Sequence, residues 1–376
     1  MTINNEHNKL NVPNLRFKEF KGEWEKCRLG DLCNVLMCKR ILASQTNTEE
    51  GVPFYKIGTI GNTPDAYISQ ELFDEYKAKY NYPHKGEVMI TCAGTVGKRV
   101  IYDGKDAYYQ DSNIVWIDNP AQHISNGFLY HLLANVDWRK LNSTTIIRIY
   151  NDDLRNLKLS YPQIEEQKKI SRLLSLLDER IATQHKIIDK LQSLIKGIRN
   201  EVFGKLRKIM GFNAVVGDVL DYEQPQSYIV EDTEYTNEGT PVLTANKAFV
   251  LGYTLETDGI YDKGDCIIFD DFTLDCKYVD FPFKVKSSAI KILTAKNKEF
   301  LRYTFEFLKY LDLSTEEHKR HYIAETQNQE FILPTEQMVK TIAHIFSTLS
   351  LRMETAVKQR NVFEKQKQYL LRQMFI

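Results

Sequence analysis

Apolar residues recur at alternating three- and four-residue steps along two long stretches of the chain, one central and one C-terminal. This spacing places apolar side chains in one narrow seam of a helix, as in a coiled coil. Gln184 interrupts the central seam, and Arg360 and Lys367 interrupt the C-terminal one. The seam residues are Ile170, Leu174, Leu177, Ile181, Ile188, Leu191, Ile195, Ile198 and Val202 in the first stretch, and Ile342, Phe346, Leu349, Met353, Ala356, Phe363, Leu370 and Met374 in the second.

Each seam predicts a helix of about 40 residues, which is roughly 60 Å long at 1.5 Å per residue. A narrow seam is typical of a helix that packs against another helix, so we expect these two to pair with each other. A second interpretation is that each helix packs on its own domain. A helix on a globular core usually has a wider apolar face, which favours the paired arrangement.

The regions before the two helices contain short β-rich segments separated by Gly, Pro, Asn and Asp. The predicted strands are EVMIT, RVIYD and NIVWI in the first region and CIIFD, KYVDF and AIKIL in the second. The segments GFLYHLLANVDW and KEFLRYTFEFLKYL predict helices between them. Each region is therefore expected to be a mixed α+β domain of roughly 130–150 residues, an ordinary domain size.

The two halves of the chain repeat each other. A shift of 172 residues places Pro162 on Pro334 and keeps the register without a gap to Phe203 on Phe375. Upstream, GDL matches GDV, GVPFYK matches GTPVLT, KGEVMI matches KGDCII and SNIVWI matches SAIKIL, in the same order. This collinear order predicts a tandem duplication. The expected parts are a flexible N-terminal arm (1–14), a first domain (15–160), a central helix (161–208), a second domain (209–332) and a C-terminal helix (333–376).

Composition and charge favour a soluble protein of the cytoplasm. Apolar residues make up 43% and charged residues 27% of the chain, as in ordinary globular domains. The sequence contains no apolar run of transmembrane length and no export signal at its N-terminus. The six cysteines form no CxxC pair, which predicts reduced, half-buried thiols. The 50 basic and 50 acidic residues cancel, which argues mildly against nucleic-acid binding but permits a local basic face.

The sequence patterns that suggest catalysis are all incomplete. The glycines of TCAGTVGKRV are too closely spaced for a phosphate-binding loop, and Arg follows the lysine where Ser or Thr is needed. The segment DNPAQ lacks the second proline and the aromatic residue of an adenine methyltransferase. A nuclease interpretation rests on the spacing of Asp265, Asp275 and Lys277, which surface turns often produce by chance. We therefore assign no catalytic residue and no metal site.

Three features together resemble the specificity subunit of type I restriction–modification systems. They are the opening VPNLRFKEFKGEWEKCRLGDL, the segment YPQIEEQKKISRLLSLLDERI and the duplicated layout. The second copy keeps Pro334 and Glu336–Gln337, but this pair lies two residues closer to the proline than in the first copy. The resemblance implies two target-recognition domains, each reading one half of a split DNA sequence. It also implies that the two helices pair antiparallel as a coiled coil and hold the domains apart.

The resemblance further implies a non-catalytic chain without a cofactor of its own. Two methylation subunits would dock on the helices and two restriction–translocation subunits would join them, with S-adenosylmethionine, ATP and Mg bound by these partners. The helices would separate the two domains by one to two turns of duplex, each about 34–36 Å. Two rival interpretations stay open: an enzyme (a nuclease or methyltransferase), and a coiled-coil assembly protein without a role at DNA.

The candidate DNA contacts are loop residues that combine small residues with basic or amide side chains. Glycine lets backbone N–H groups approach a phosphate, Arg and Lys read guanine, and Gln and Asn read adenine. In the first domain the candidates are Gly94, Thr95, Gly97, Lys98, Arg99, Tyr109, Gln110, Ser112, Asn113 and Arg148. In the second they are Lys277, Lys284, Lys286, His318, Lys319 and Arg320. The structural alternatives are a tight hairpin at AGTVGK and a solvated turn at HKRHY. Because the second domain lacks the glycine pair, we expect the two domains to read different sequences.

Overall fold

The chain forms two compact units in a computed structural model that describes residues 10–141, 148–244, 248–313 and 321–376. Unit 1 comprises Met1–Thr183 and Arg360–Ile376, and unit 2 comprises Gln184–Gln359. Each unit therefore contains one mixed domain and part of both long helices. This division cuts across the helix boundaries expected from the sequence.

The described part of unit 1 contains nine strands in three small sheets. Their strand orders are β1-β9, β2-β8-β5-β6 and β4-β3-β7, and all pairs are antiparallel except β3 with β7. The strands are β1 (Glu25–Arg28), β2 (Asn34–Leu36), β3 (Val52–Tyr55), β4 (Tyr67–Ile68), β5 (Val88–Thr91), β6 (Arg99–Ile101), β7 (Tyr108–Tyr109), β8 (Ile114–Asp118) and β9 (Lys158–Tyr161).

Unit 2 repeats this topology strand for strand. Its sheets have the orders β10-β18, β11-β17-β14-β15 and β13-β12-β16, and β12 with β16 is again the parallel pair. The strands are β10 (Ala214–Val215), β11 (Leu220–Glu223), β12 (Thr240–Leu243), β13 (Val250–Thr254), β14 (Cys266–Asp270), β15 (Cys276–Val279), β16 (Lys284–Val285), β17 (Ile290–Ala295) and β18 (Glu330–Phe331). The predicted α+β duplication is confirmed.

Two of the described helices are far longer than the rest. They span 47 residues (α5) and 39 residues (α8), and each begins just after the proline that marks the repeat. Two of the shorter helices, α2 and α3, start at serine caps; at the first, the Ser69 hydroxyl accepts a hydrogen bond from the Leu72 N–H. The helices are α1 (Leu29–Leu32), α2 (Gln70–Lys79), α3 (Asn126–Leu132), α4 (Asn151–Arg155), α5 (Ile164–Met210), α6 (Val216–Val219), α7 (Leu301–Leu311) and α8 (Glu336–Met374).

The register of the two halves differs by one residue from the sequence match of KGEVMI with KGDCII. In the ladders, Val88 pairs with Ile117. Ile267 pairs with Leu293, which is the residue that matches Ile117. Val88 therefore corresponds to Ile267 rather than to Cys266. Because successive side chains point to opposite faces of a strand, this shift keeps the same face of both sheets toward the long helices.

A glycine opens the equivalent strand in each half. Gly51 has a φ of 128° and Gly239 has a φ of 114°. A Cβ atom at either position would lie 2.3 Å from a carbonyl oxygen of the neighbouring strand, that of Ile68 or Thr254. The close backbone approach explains why GVPFYK and GTPVLT both begin with glycine.

The four-stranded sheet of each unit separates two apolar cores. In unit 1 one face contributes Val88 and Ile117 to a core with α3 and α5. The opposite face contributes Met89 and Trp116 to a core with β3, β7 and α2. Unit 2 has the same two cores, one against the long helices and one against the three-stranded sheet. Because side chains are buried on both faces of the sheet, the central strands β5, β8 and β14 read as nearly continuous apolar runs.

In unit 1 the first part of α5 pairs with the last part of α8. Ile170 shares an apolar core with Met374 and Phe375. Further along α5, Asp178 forms an ion pair with Lys367. The partner's residue number falls as the number along α5 rises, so these segments run antiparallel.

The same core of unit 1 draws residues from both ends of the chain. Phe375 packs between two aromatic rings, with centroid distances of 6.4 Å to Trp24 and 5.1 Å to Phe128. Near the same helix end, the Leu15 N–H donates to the Gln373 carbonyl at 2.8 Å. The segment before β1 and the end of α8 therefore belong to one core.

In unit 2 the second part of α5 pairs with the first part of α8. Phe203 stacks on Phe346 with ring centroids 6.5 Å apart. Ile195 and Ile342 join the same core. The ring centroid of Phe203 also lies 5.4 Å from that of Phe307 in α7. This face of α5 therefore contacts the domain as well as the partner helix. The alternative interpretation, that each long helix packs on its own domain, is therefore correct in part.

The predicted coiled-coil seam residues are buried or half-buried. The members buried to less than a tenth exposure are Ile170, Leu174, Ile188, Ile195, Ile342, Phe346, Ala356 and Met374. The half-buried members are Leu177, Ile181, Leu191, Ile198, Val202, Leu349, Met353, Phe363 and Leu370. Of the residues that interrupt the seam, Lys367 is used in the ion pair with Asp178.

The predicted flexible arm is packed over its described part. Asn11 and Pro13 are buried, and the Asn11 side-chain amide donates to the Trp24 carbonyl at 2.6 Å. The tail of the arm is therefore held by the domain, contrary to the expectation for residues 10–14. Residues 1–9 lie outside the described residues.

The Glu–Gln pair at the start of α5 fixes the chain that surrounds it. The buried Glu166 carboxylate accepts two hydrogen bonds from Arg16, at 2.8 and 2.7 Å. The Gln167 side chain accepts from the Ser125 N–H at 2.7 Å and donates to the His123 carbonyl at 2.8 Å. In the second copy Glu336 and Gln337 are exposed, so the two-residue displacement seen in the sequence removes this role.

All six cysteines are free thiols, and five of them are buried. Burial raises the pKa of the Cys92 thiol to about 12, which keeps it protonated near neutral pH. None of the described helices is both long enough and apolar enough to span a lipid bilayer.

Candidate DNA interface

A polar cleft of about 460 Å³ lies beside the ends of β3, β7 and β8 in unit 1. It brings together four of the residues predicted from the sequence, namely Gln110, Ser112, Asn113 and Arg148. Two further cations, Arg40 and Lys56, and one carboxylate, Asp111, complete its charged lining. We call this surface the unit 1 cleft.

Backbone hydrogen bonds hold the loop that forms one wall of the unit 1 cleft. The Gln110 N–H donates to the Tyr55 carbonyl at 2.9 Å, and the Asn113 carbonyl accepts from the Cys92 N–H at 2.7 Å. Between them Ser112 has a φ of 59°, the left-handed region that side-chain-bearing residues seldom adopt. The loop is therefore a defined turn anchored to two strands.

Three cations and one carboxylate line the unit 1 cleft. The Arg40 Nε atom donates to the Asp111 Oδ2 atom at 3.0 Å. The Arg148 Nη2 atom donates to the Ser112 carbonyl at 3.3 Å. Lys56 is 41% exposed and pairs with the exposed Asp65 at 3.1 Å. The excess of positive charge suits a phosphate backbone or the acceptor edge of a base.

The glycine loop after β5 lies next to the turn that carries Lys56. The Thr91 hydroxyl accepts from the Lys98 N–H at 3.0 Å and closes the loop. A Cβ atom at Gly94 would lie 2.8 Å from Ile57 of that turn. At Gly97, which has a φ of 81°, it would lie 2.3 Å from the Trp138 indole nitrogen. Gly94 and the exposed Thr95 border a second cleft of about 380 Å³ that contains Arg139.

These contacts show that Gly94 and Gly97 allow close packing within the loop. This agrees with the structural alternative of a tight hairpin at AGTVGK. A phosphate contact by the glycine loop stays a prediction.

Two predicted contact residues point into the protein. The Arg99 guanidinium donates to the Leu133 and Gly97 carbonyls, each at 3.1 Å, and lies over the Tyr130 ring. Burial lowers its pKa below the usual value for arginine. Tyr109 is 6% exposed and stacks on Tyr55. Both side chains serve the packing of unit 1, and this geometry does not favour a DNA contact by either.

Unit 2 builds the equivalent loop with different side chains. The Lys286 N–H donates to the Leu243 carbonyl at 2.9 Å, and the Ala289 carbonyl accepts from the Asp271 N–H at 3.0 Å. These bonds repeat those of the loop in unit 1. Lys286 is exposed on this loop, where it corresponds to Gln110.

The other two predicted lysines of unit 2 are engaged by acidic or carbonyl groups. Lys284 is buried, pairs with Glu256 at 2.5 Å and donates to the Asp258 carbonyl at 2.7 Å. It is therefore a poor candidate for a DNA contact. Lys277 is 38% exposed and lies 3.7 Å from Asp275. The remaining candidates, His318, Lys319 and Arg320, lie outside the described residues.

The two aspartates of the nuclease interpretation are bonded to neighbouring side chains. Asp265 accepts a hydrogen bond from the Tyr278 hydroxyl at 2.6 Å, and Asp275 pairs with Lys309 at 2.5 Å. Within the ranges that the structure describes, no group of three or more His, Cys, Asp or Glu side chains could hold a metal ion.

Three residues of the unit 1 cleft were missed in the sequence. Arg40 and Lys56 lie outside the segments 94–99 and 109–113 that contain most of the predicted contacts of the first domain, and Asp111 lies within the second segment but is not among those predicted. The sequence signal that could have found Arg40 is its place in a basic pair with Lys39, in the loop that follows β2. The fold then brings it against a loop about seventy residues further along the chain.

Comparisons with known proteins agree with the resemblance. Residues 21–193 match the family model of the type I restriction modification DNA specificity domain. A putative type I restriction enzyme specificity subunit of Haemophilus influenzae is 52% identical over 151 residues, which cover 40% of this chain and 38% of that protein. A type I restriction enzyme specificity subunit of Escherichia coli is 44% identical over 126 residues, which cover 32% and 31%. The chain thus matches less than half the length of these curated relatives.

The fold itself has a solved counterpart over nearly its whole length. The crystal structure of the S subunit of a type I restriction–modification system from M. genitalium superposes with a TM-score of 0.71 at 17% identity, covering 97% of this chain and 99% of that one. The expected architecture of two mixed domains and two paired helices is therefore confirmed. Residues 21–193 thus resemble the type I restriction modification DNA specificity domain, and the chain is similar in sequence to the specificity subunits of type I restriction–modification systems.

Proposed function

We propose that this chain is the sequence-specific DNA-recognition subunit of a type I restriction–modification complex and reads a split target with its two units. The observation that carries this proposal is the repeated loop beside the three-stranded sheet. Both units hold it with the same backbone hydrogen bonds, from Gln110 to Tyr55 and from Lys286 to Leu243. The side chains that it presents differ, so one frame supports two different readouts.

The chain acts without chemistry of its own in this proposal. Two methylation subunits and two restriction–translocation subunits are its partners, and S-adenosylmethionine, ATP and Mg bind to these. Support comes from the names of the curated relatives, which are called restriction enzyme specificity subunits. That the paired helices set the number of base pairs between the half-sites stays a prediction from helix length.

The rival functions differ in what the purified chain does. A nuclease or methyltransferase would cut or methylate duplex DNA without partners. A coiled-coil assembly protein would bind its partners but give no footprint on DNA when combined with them. The contacts of Asp265 and Asp275 do not favour a nuclease, because both carboxylates are bonded to neighbouring side chains.

A domain exchange tests the proposed function directly. Residues 15–155 are replaced by the corresponding segment of a specificity subunit with a different known target, and the methylated sites of a host carrying the complex are sequenced. We expect one half of the recognised sequence to change and the other half to stay the same, because unit 2 is left intact.

The matched control exchanges residues 216–327, which lie within unit 2, and should change only the opposite half. A change in both halves after either exchange would contradict reading by separate units. Loss of one methylated sequence on deletion of the gene, without any split pattern, would contradict the proposal as a whole.

A further inference from the structure

Arg40 stands out in the unit 1 cleft because its position is fixed while its terminal nitrogens are available. Its side chain is 67% exposed, whereas that of its partner Asp111 is 16% exposed. The hydrogen bond to Asp111 uses Nε at 3.0 Å. Within the described part of the chain, this is the guanidinium's one hydrogen bond. The two Nη groups therefore remain as a pair of donors on an oriented fork.

The Arg40–Asp111 pair is not needed to build the loops that carry it. Val35 pairs with Ile117 in unit 1, and Tyr222 pairs with Leu293 in unit 2. Because Ile117 and Leu293 are equivalent, Val35 and Tyr222 are equivalent as well. Arg40 and Ser227 follow them at the same distance in sequence and therefore occupy equivalent positions. By the loop hydrogen bonds, Ser287 stands at the position of Asp111.

The flanking residues support this equivalence. Ile41 and Tyr228, which follow the two positions, are buried in equivalent cores of the two units. Unit 2 thus forms the same frame with two serines where unit 1 has an ion pair. A charged pair that the fold does not require points to a function at the surface.

The neighbouring cations of the unit 1 cleft have other bonding. Arg148 donates to the Ser112 carbonyl, and Lys56 pairs with Asp65. Neither presents an oriented pair of donors beside a fixed carboxylate. Their charge can attract the phosphate backbone without regard to sequence.

We propose that Arg40 reads a guanine in the half-site bound by unit 1, with Asp111 as the residue that positions its guanidinium. Guanine presents two acceptors, N7 and O6, to the major groove, and the two Nη groups of an arginine match them as a bidentate pair. The Nε bond to Asp111 holds the fork in one orientation, which reduces the side-chain entropy lost on binding. This inference rests on the proposed function and adds to it one base and one residue.

The test separates base reading from phosphate attraction by the substitution Arg40→Lys. Lysine keeps the positive charge but lacks the planar fork. The assembled complex of the chain with its methylation subunits is allowed to select from a library of random duplexes, and the bound DNA is sequenced. We expect the Arg40→Lys complex to lose roughly ten- to hundredfold of its preference for guanine at one position of one half-site. All positions of the other half-site should stay unchanged.

A matched control and a second variant sharpen the result. Arg155→Lys alters another exposed arginine of unit 1 that pairs with an aspartate, Asp152, at 3.0 Å, and should leave every base preference intact. Asp111→Asn keeps the size of the positioning side chain and removes its charge. It should weaken the same guanine preference less than Arg40→Lys does, and no other position.

The outcomes distinguish the proposed function from the assignment of a guanine to Arg40. A wild-type complex that selects no split sequence would overturn the proposed function itself. A wild-type complex that selects one, together with an Arg40→Lys complex that keeps every base preference but binds all sequences more weakly, would make Arg40 a phosphate contact and overturn only the guanine assignment.

Discussion

His131 is a buried histidine on α3 that faces the long helices of unit 1. It is 1% exposed, its Nε2 atom lies 3.3 Å from the Ser175 hydroxyl and its Nδ1 atom lies 4.0 Å from Asp178. Burial lowers its pKa to about 4, although Asp178 acts in the opposite direction and the cations Lys367 and Arg99 reinforce the lowering. The side chain is therefore neutral in the folded protein at pH values where an unfolded chain would be protonated.

This difference predicts a loss of stability of unit 1 in mild acid. An unfolded histidine takes up its proton near pH 6.5, whereas folded His131 does so only near pH 4. Between these values the unfolded state binds more protons, so the free energy of unfolding falls as pH falls. From pH 7 to pH 5 the contribution of this one group is about 2 kcal/mol. The variant His131→Gln should lose about that much less than the wild type over the same interval.

Urea unfolding followed by tryptophan fluorescence makes the measurement, because Trp24, Trp116 and Trp138 are the chain's three tryptophans and all belong to unit 1. The control His123→Gln, an exposed residue of unit 1, should keep the wild-type pH dependence. An unchanged dependence in His131→Gln would show that His131 is not the group responsible.

At the scale of the elements, two leucines of α5 that lie only two positions apart in sequence differ in burial, because only one of them belongs to the seam. Leu174 is fully buried, whereas Leu176 is 49% exposed. Truncating a buried leucine removes its transfer energy and leaves a cavity, but truncating an exposed one does neither. The two residues therefore provide a matched pair within one helix.

We expect Leu174→Ala to lower the free energy of unfolding of unit 1 by about 2–5 kcal/mol, the range for buried leucines. Leu176→Ala should change it by no more than about 0.5 kcal/mol, as for surface positions. The measurement is again urea unfolding followed by tryptophan fluorescence. Equal losses in the two variants would contradict the assignment of the seam.

The helices and strands were largely predictable because their patterns are periodic. Seam positions such as Leu174 and Phe346 follow from helical spacing alone. The register of β5 against β14 was not predicted correctly, because the second half has one more residue between Gly264 and Ile267 than the first half has between Gly86 and Val88. The local similarity of KGEVMI and KGDCII conceals this extra residue. Only the pairing of Ile267 with Leu293 reveals it.

The cleft was predictable only in part, since it depends on tertiary placement. Gln110, Ser112, Asn113 and Arg148 were predictable because they lie in polar loops, yet nothing local distinguishes them from Arg99, whose half-buried guanidinium donates to backbone carbonyls of unit 1. Partners such as Arg40 come from segments remote in sequence, so a search that scans one loop at a time cannot join them.

At the scale of the whole molecule, the zero net charge means that the proposed DNA binding would depend on local surfaces rather than on a general attraction. The unit 1 cleft has three cations for one carboxylate. Under the proposed function, such a chain would make few phosphate contacts by itself, and its partner subunits would supply more.

We therefore predict weak binding of the isolated chain to duplex DNA with a clear dependence on salt. With about four phosphate contacts, the affinity should fall roughly a hundredfold between about 50 and 200 mM monovalent salt. Fluorescence anisotropy of a labelled duplex makes the measurement, and addition of the methylation subunits should steepen the dependence. Binding that ignores salt would be incompatible with this description of the surface.

The position of Phe375 between Trp24 and Phe128 has a consequence for biosynthesis. Residues 360–376 leave the ribosome long after the rest of unit 1, so the apolar pocket made by the first-translated segment stays open to water until then. Unit 2 is one continuous segment, Gln184–Gln359, and all the residues of its core emerge earlier. The half that is synthesised first is thus completed last, and the nascent chain carries an unfilled aromatic pocket through most of its elongation.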